Sequence, residues 1–185
     1  MKVKKLRENL KIMEEEKSKK NKYSALIFFV CAGLVLGLLI KLFAFEILTV
    51  SGRSMFPSLH DGDKIFINKL AFGIAEPYGS KLLVQWAKPK KGDIVIYLYN
   101  DKIVVKRCAA VSGDKLEYSK NSEYILKTDG KEIPLTKIQY ENLKNSDSVP
   151  EGYILAIGDN YEESVDSRAY GFVSVRNVLG KVICK

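Results

Sequence analysis

The feature that most limits this chain is an apolar run near its start. Residues 25–40 read ALIFFVCAGLVLGLLI without a charge, Lys41 interrupts, and LFAF carries the run to residue 45. A bilayer core ~30 Å thick needs ~20 apolar residues at 1.5 Å rise each. Residues 23–45 meet that length if Lys41 snorkels its ammonium toward the headgroups. Lys17, Lys19, Lys20 and Lys22 precede the run, so the positive-inside bias keeps residues 1–22 as a basic cytoplasmic tail and sends residues 46–185 across the plasma membrane. A cleavable secretory signal has a shorter apolar region closed by small residues, and KLFAFEILTV offers no such site. The expectation is a single-pass, uncleaved signal-anchor helix with an extracytoplasmic domain behind it.

Charge then needs to be divided. The whole chain has a net charge of +8, but residues 1–22 hold nine Lys and Arg against four Glu, which leaves +3 for all that follows. The remainder has no basic stripe of the kind that tracks a phosphate backbone, so no nucleic-acid partner is expected. Three cysteines, one histidine and no CxxC pair make a metal site improbable on composition, and neither a metal nor any other cofactor is expected. Cys31 reads as a small apolar filler within the span, while Cys108 and Cys184 leave open a bridge or free thiols.

Beyond the anchor, short runs rich in Val, Ile, Tyr and Phe are bounded by DGD, KKGD, ND, SGD, DG and GDN turns. KIFINKL, DIVIYLY, KIVVKRCAAV, KLEYS, EYILK, GYILAIG and GFVSV are the clearest, and no long 3.6-residue apolar period follows the anchor. This predicts a mostly β domain. The polar stretch of about residues 119–150 reads as a peripheral insertion on a more apolar core.

Three segments carry chemistry. SGRSMFPSLHDGD places Ser54 in a loop constrained by Pro57, where a serine is either a turn former or a nucleophile in need of a base. The lone His60, between acidic turn residues, reads as a solvated loop residue. IVVKRCAAV sets Lys106 on one face of a strand with Val104, Cys108 and Ala110, and Arg107 on the other with Val105. Burial would lower the lysine pKa toward a usable base, which arginine cannot become. Periodicity alone leaves open an edge strand whose cations both reach water. GDNYEESVDSRAYGF gathers Ser164, Ser167, Asp166 and Arg168 in one loop that either orients a catalytic group or is a surface turn with an ordinary ion pair.

In this order the segments resemble the bacterial type I signal peptidases, membrane-anchored Ser-Lys serine proteases. SGRSMFPSL is similar to that family's serine box, DGDKIFINKLAFG to the box after it, PKKGDIVIY and VVKRCAAVSGD to the lysine box, and GDNYEESVDSRAYGFV to the closing box. The likeness covers roughly residues 47–72, 86–116 and 152–182. It implies a LexA-like Ser-Lys peptidase core behind the transmembrane helix, with Ser54 as nucleophile and Lys106 as general base. It also implies that Ser164 orients the lysine amine and that Asp166 and Arg168 form a structural pair beneath the site. The Ser54 N–H would stand in an oxyanion hole, and Gly52 lacks the extra hydroxyl that some members carry there, unless Ser51 substitutes. Ser58, Tyr161 and Val104 replace a usual Thr, a common Arg and a frequent aromatic.

The implied partners are signal-peptide-bearing preproteins and membrane lipid. Small side chains at the −1 and −3 positions would enter shallow apolar pockets lined from Val50, Met55, Leu59, Val104 and Val105, and Phe72, Leu82, Leu83 and Trp86 either touch the bilayer interface or pack in the core. Two other readings compete. A membrane-anchored assembly factor that only binds clients would need neither Ser54 nor Lys106, and a self-cleaving repressor-type peptidase would carry a DNA-binding helix pair where this chain has its anchor.

Overall fold

The computed structural model describes residues 2–76, 79–120 and 123–185. The chain divides into two units, one ending at Lys41 and the other spanning Leu42–Lys185.

The first unit lies within a single helix, α1, which spans Lys2–Phe43. Lys, Glu, Leu and Met favour helix, so the basic segment before the apolar run is helical as well. Within it, Lys20–Lys41 has a mean hydropathy of 2.5 over its most apolar window and none of that window is buried. Residues such as Leu34 (71 % exposed) and Phe29 (70 %) are bare. A helix apolar all round and uncovered by protein has the length and composition to cross a membrane. It stops at Phe43, and Phe45 already belongs to a strand, so the apolar run is shared between helix and sheet.

The second unit is mostly β. Its strands are β1 Phe45–Thr49, β2 Lys64–Asn68, β3 Gly73–Ala75, β4 Leu82–Gln85, β5 Ile94–Tyr99, β6 Lys102–Val111, β7 Glu117–Lys120, β8 Tyr124–Thr128, β9 Lys131–Leu135, β10 Tyr153–Ile157, β11 Val173–Ser174 and β12 Val178–Cys184, with short helices α2 Lys137–Leu143 and α3 Ser167–Tyr170. A seven-stranded sheet runs β1-β2-β12-β5-β6-β10-β11, beside a two-stranded sheet β3-β4 and a three-stranded sheet β7-β8-β9. The clear sequence runs all became strands. Those hidden from sequence, β1, β3, β4, β9 and β12, are short, interrupted by Pro or Gly, or fused to the anchor's apolar run.

Alternation in β6 decides the central question of strand geometry. Lys106, Cys108 and Ala110 are buried, while Val105, Arg107 and Ala109 are only partly so. β6 lies between β5 and β10, and its pairing with β10 extends from Val111 down to Arg107, opposite Ile157. Among the described residues, 102–106 pair with β5 alone, Val95 facing Lys106 and Tyr97 facing Val104. Lys106 therefore stands at the point where an inner strand becomes an edge.

Residues 119–150 are more integrated than their polarity implies. Leu126, Ile133, Leu135 and Leu143 from β8, β9 and α2 join Ala110, Leu155 and Ile157 of the large sheet in one buried cluster. α2 opens on a capping box between Thr136 and Gln139, which satisfies two backbone donors of its first turn.

Candidate active site

The loop joining β1 to β2 is closed at its base by Val50 N–H to the Asp63 carbonyl (2.8 Å) and Gly62 N–H to the Val50 carbonyl (2.9 Å). Gly52 sits at φ 91°, a left-handed conformation that glycine adopts without a Cβ clash. Its N–H donates to Asp61 Oδ1 at 2.8 Å. Met55 (1 % exposed) and Leu59 (3 %) drop from this loop into the core with Val50, Ile65, Ile67 and Ile96. Ser54, immediately before Met55, is thereby carried on a rigid turn and left partly open.

A second loop, following β10, seals the first. Asn160 N–H donates to the Ser54 carbonyl at 3.0 Å, and Asn160 Nδ2 donates to the Arg53 carbonyl at 3.2 Å. The glycine before it is a matter of space. A Cβ on Gly158 would lie 2.2 Å from Ser164 Oγ and 2.5 Å from the Ser54 carbonyl oxygen, so only glycine allows the two loops to meet.

Lys106 reaches into this junction. Its side chain is buried, and Nζ donates to Ser54 Oγ at 2.8 Å. Burial disfavours the ammonium and holds its pKa below the ordinary lysine value; the Asp166 carboxylate opposes that shift and the Arg168 cation adds to it. The reading in which both β6 cations reach solvent is thus overturned for Lys106. An amine whose charged form is disfavoured, held at hydrogen-bond distance from a hydroxyl, has the arrangement that a nucleophile and its base require.

Behind the pair, Asp166 and Arg168 are wholly buried and joined at 2.9 Å. Asp166 also accepts from Gly158 N–H at 2.9 Å, and Arg168 donates to the carbonyls of Pro134, Tyr161 and Ser164. This satisfies both charges and ties the closing loop to β10 on one side and β9 on the other. Among the described residues no hydrogen bond joins the ion pair to Lys106 Nζ or Ser54 Oγ. Ser164 lies in the same pocket of structure, but its buried Oγ has no hydrogen-bond partner among the described residues, and no bond to Lys106 is formed.

The expected pocket residues divide between two faces of the sheet. Val105 packs on the cluster of Val50, Met55 and Leu59, whereas Val104, one residue earlier, packs with Tyr97 and Cys108 on the opposite side. The pleat imposes this, since neighbouring residues of a strand point to opposite faces.

Two features were not visible in the sequence. Arg107 forms a forked pair with Asp159, Nε to Oδ1 at 2.7 Å and Nη2 to Oδ2 at 2.6 Å, and reaches Ser58 Oγ at 3.0 Å and the Gly92 carbonyl at 2.9 Å. It therefore staples the serine loop, the closing loop and the turn before β5. The adjoining Lys-Arg pair was the only hint, because partners 52 residues apart meet only in the fold. Asn160, the second feature, gave no signal beyond its place in a turn.

His60 is exposed, lying 3.6 Å from Asp63 with its ring edge-on to Phe56, as a solvated loop residue should be. Cys108 and Cys184 are free thiols, the first buried and its pKa pushed up to about 12. Phe72 and Leu82 belong to the core, while Leu83, Val84 and Trp86 are exposed.

The family described as "Signal peptidase, peptidase S26" matches residues 22–185. Signal peptidase I of Bacillus licheniformis is 33% identical over 186 residues, 91% of this chain and 91% of that protein. Signal peptidase I of Bacillus caldolyticus is 28% identical over 187 residues, 92% of each. Signal peptidase IB of Staphylococcus aureus is 30% identical over 152 residues, 72% of this chain and 73% of the other. A crystal structure of a signal peptidase I from Enterococcus faecalis superposes with a TM-score of 0.39 at 24% identity, covering 52% of this chain and 98% of that one.

Proposed function

The chain belongs to the signal peptidase family, peptidase S26, and from that membership we propose how its residues remove signal peptides from exported preproteins. It is a serine endopeptidase whose nucleophile is Ser54 and whose general base is Lys106. The observation that carries this assignment is the 2.8 Å contact between the buried Lys106 Nζ and the partly open Ser54 Oγ.

Neutral Lys106 takes the Ser54 proton as Oγ attacks the carbonyl at the cleavage site. The protonated amine then delivers that proton to the leaving amine, and an acyl-enzyme remains. Lys106, neutral again, activates water for hydrolysis of the ester. The Ser54 N–H stabilises the developing oxyanion, where one fixed donor is worth ~3–4 kcal/mol. Ser164 turns toward the amine once substrate excludes water, which gives its unpartnered hydroxyl a use.

Substrate adds as a strand to the open edge of residues 102–106. Its −1 and −3 side chains face the apolar surface of Val50, Met55, Leu59 and Val105. Helix α1 anchors the enzyme in the membrane with the N-terminus cytoplasmic, as its flanking lysines favour. Exposed Leu83, Val84 and Trp86 on and beside β4 contact lipid at the interface. A client-binding role without catalysis is disfavoured by the intact nucleophile–base pair.

Detergent-purified protein should cleave a preprotein with an A-x-A site. Ser54→Ala and Lys106→Ala should each lower kcat by ~1000-fold or more, since members of a catalytic unit fail together. Cleavage that survives both substitutions would overturn the assignment.

A further inference from the structure

We propose that Arg53 selects the charge of the residues just after the cleavage site, favouring an acidic side chain at the first or second position of the released protein. The inference rests on the peptidase reading above and extends it to the other half of the substrate.

Topology decides where that half must go. Residues before the scissile bond lie along the open edge of β6, residues 102–106. From Arg107 onward the edge is occupied by β10, ending at Ile157. A chain attacked by Ser54 therefore leaves the sheet at Lys106 and passes over the two loops that meet there. Their contact is made by Asn160 on one loop and the backbone of Arg53 and Ser54 on the other.

The side chains that crown this junction are charged. Arg53 directly precedes the nucleophile and its side chain is 63% exposed. Its guanidinium lies 5.9 Å above the Phe56 ring and 3.5 Å from Glu163 Oε1, a loose contact with a carboxylate that is itself 47% exposed. A guanidinium offers five N–H donors in a planar fork matched to a carboxylate. Among the described residues none of these donors makes a hydrogen bond, so the fork is held in place by Phe56 and Glu163 yet remains open. An acidic substrate side chain can complete it with a charge-assisted pair, while a basic one meets like charge beside the nucleophile. Both parts are solvated, so each charge is worth roughly threefold in kcat/KM at low salt and less at high salt.

The test uses the full-length protein in detergent and three preproteins identical except for Ala, Asp or Lys at both positions after the cleavage site. The readout is the Asp-to-Lys ratio of kcat/KM, taken within each variant so that changes in overall turnover cancel. The expected ratio is about three to tenfold for the parent, near one for Arg53→Gln, and inverted for Arg53→Glu. Glu163→Gln, which frees the fork, should raise it. A ratio that is the same in the parent, Arg53→Gln and Glu163→Gln overturns the inference and leaves the catalytic assignment standing. Cleavage of the Ala preprotein that persists in Ser54→Ala strikes the catalytic assignment instead, and the inference with it.

Discussion

At the residue scale the site turns on two buried cations with opposite needs. Arg168 must stay charged, and Asp166 makes that tolerable at 2.9 Å with every remaining group hydrogen-bonded. Asp166→Asn would leave Arg168 buried and unpaired, a change that costs about 3–5 kcal/mol and is read from the midpoint of urea unfolding. The same substitution removes the carboxylate that raises the Lys106 pKa, so the pH at which activity appears should fall. On the proposed mechanism Lys106 works only as a neutral amine. Activity is low while Nζ is protonated, rises with pH through its lowered pKa, and levels off before the ordinary lysine range. A profile flat from mildly acidic pH upward would contradict this. Stability has the same sign: between the lowered folded pKa and the unfolded value the native state binds fewer protons than the unfolded chain, so unfolding free energy rises with pH there. Lys106→Met should abolish that rise, as urea midpoints across neutral to alkaline pH would show. On the proposed mechanism, in which Ser164 turns toward the amine once substrate is bound, Ser164→Ala should lower kcat by about tenfold with KM held.

At the scale of elements, the site is assembled by two loops and braced by a small layer. The stretch that composition marks as peripheral supplies the Pro134 carbonyl that accepts from Arg168, and Asn142 of α2 donates to the Ala169 carbonyl in α3. Leu143 (1 % exposed) fixes α2 against the shared cluster. Leu143→Ala should cost ~2–5 kcal/mol through the cavity it leaves, measured by urea denaturation, and should slow cleavage by loosening the closing loop. The strands were largely legible, because β-branched and aromatic runs between Gly and Asp turns announce themselves. β9 was not, since Pro134 interrupts its apolar pattern. α2 was not either, since seven residues with one buried position make no period.

For the whole molecule, the sequence divides the work between an apolar helix and a β domain, and the structure keeps them as separate units. The protein should stay with membranes through alkaline carbonate washing and leave them only in detergent. With the N-terminus cytoplasmic, protease added outside spheroplasts should reach the β domain and spare a fragment of residues 1–45. Protection of the entire domain would reverse the orientation.

What could be read in advance was whatever depends on neighbours along the chain. The apolar run with its lysines and the turn-bounded strands are local patterns, set by hydropathy and backbone sterics, while the four boxes around Ser54, Lys106 and Asp166 were legible through their resemblance to a family. The fold alone settled what depends on distant partners. It put Lys106 on the buried face and 2.8 Å from a serine 52 residues away, and it sent Arg107 to Asp159. It separated Val104 from Val105 and left the edge of β6 open just where β10 ends. Periodicity says that two faces exist; which one is dry is decided by what the rest of the chain lays against it.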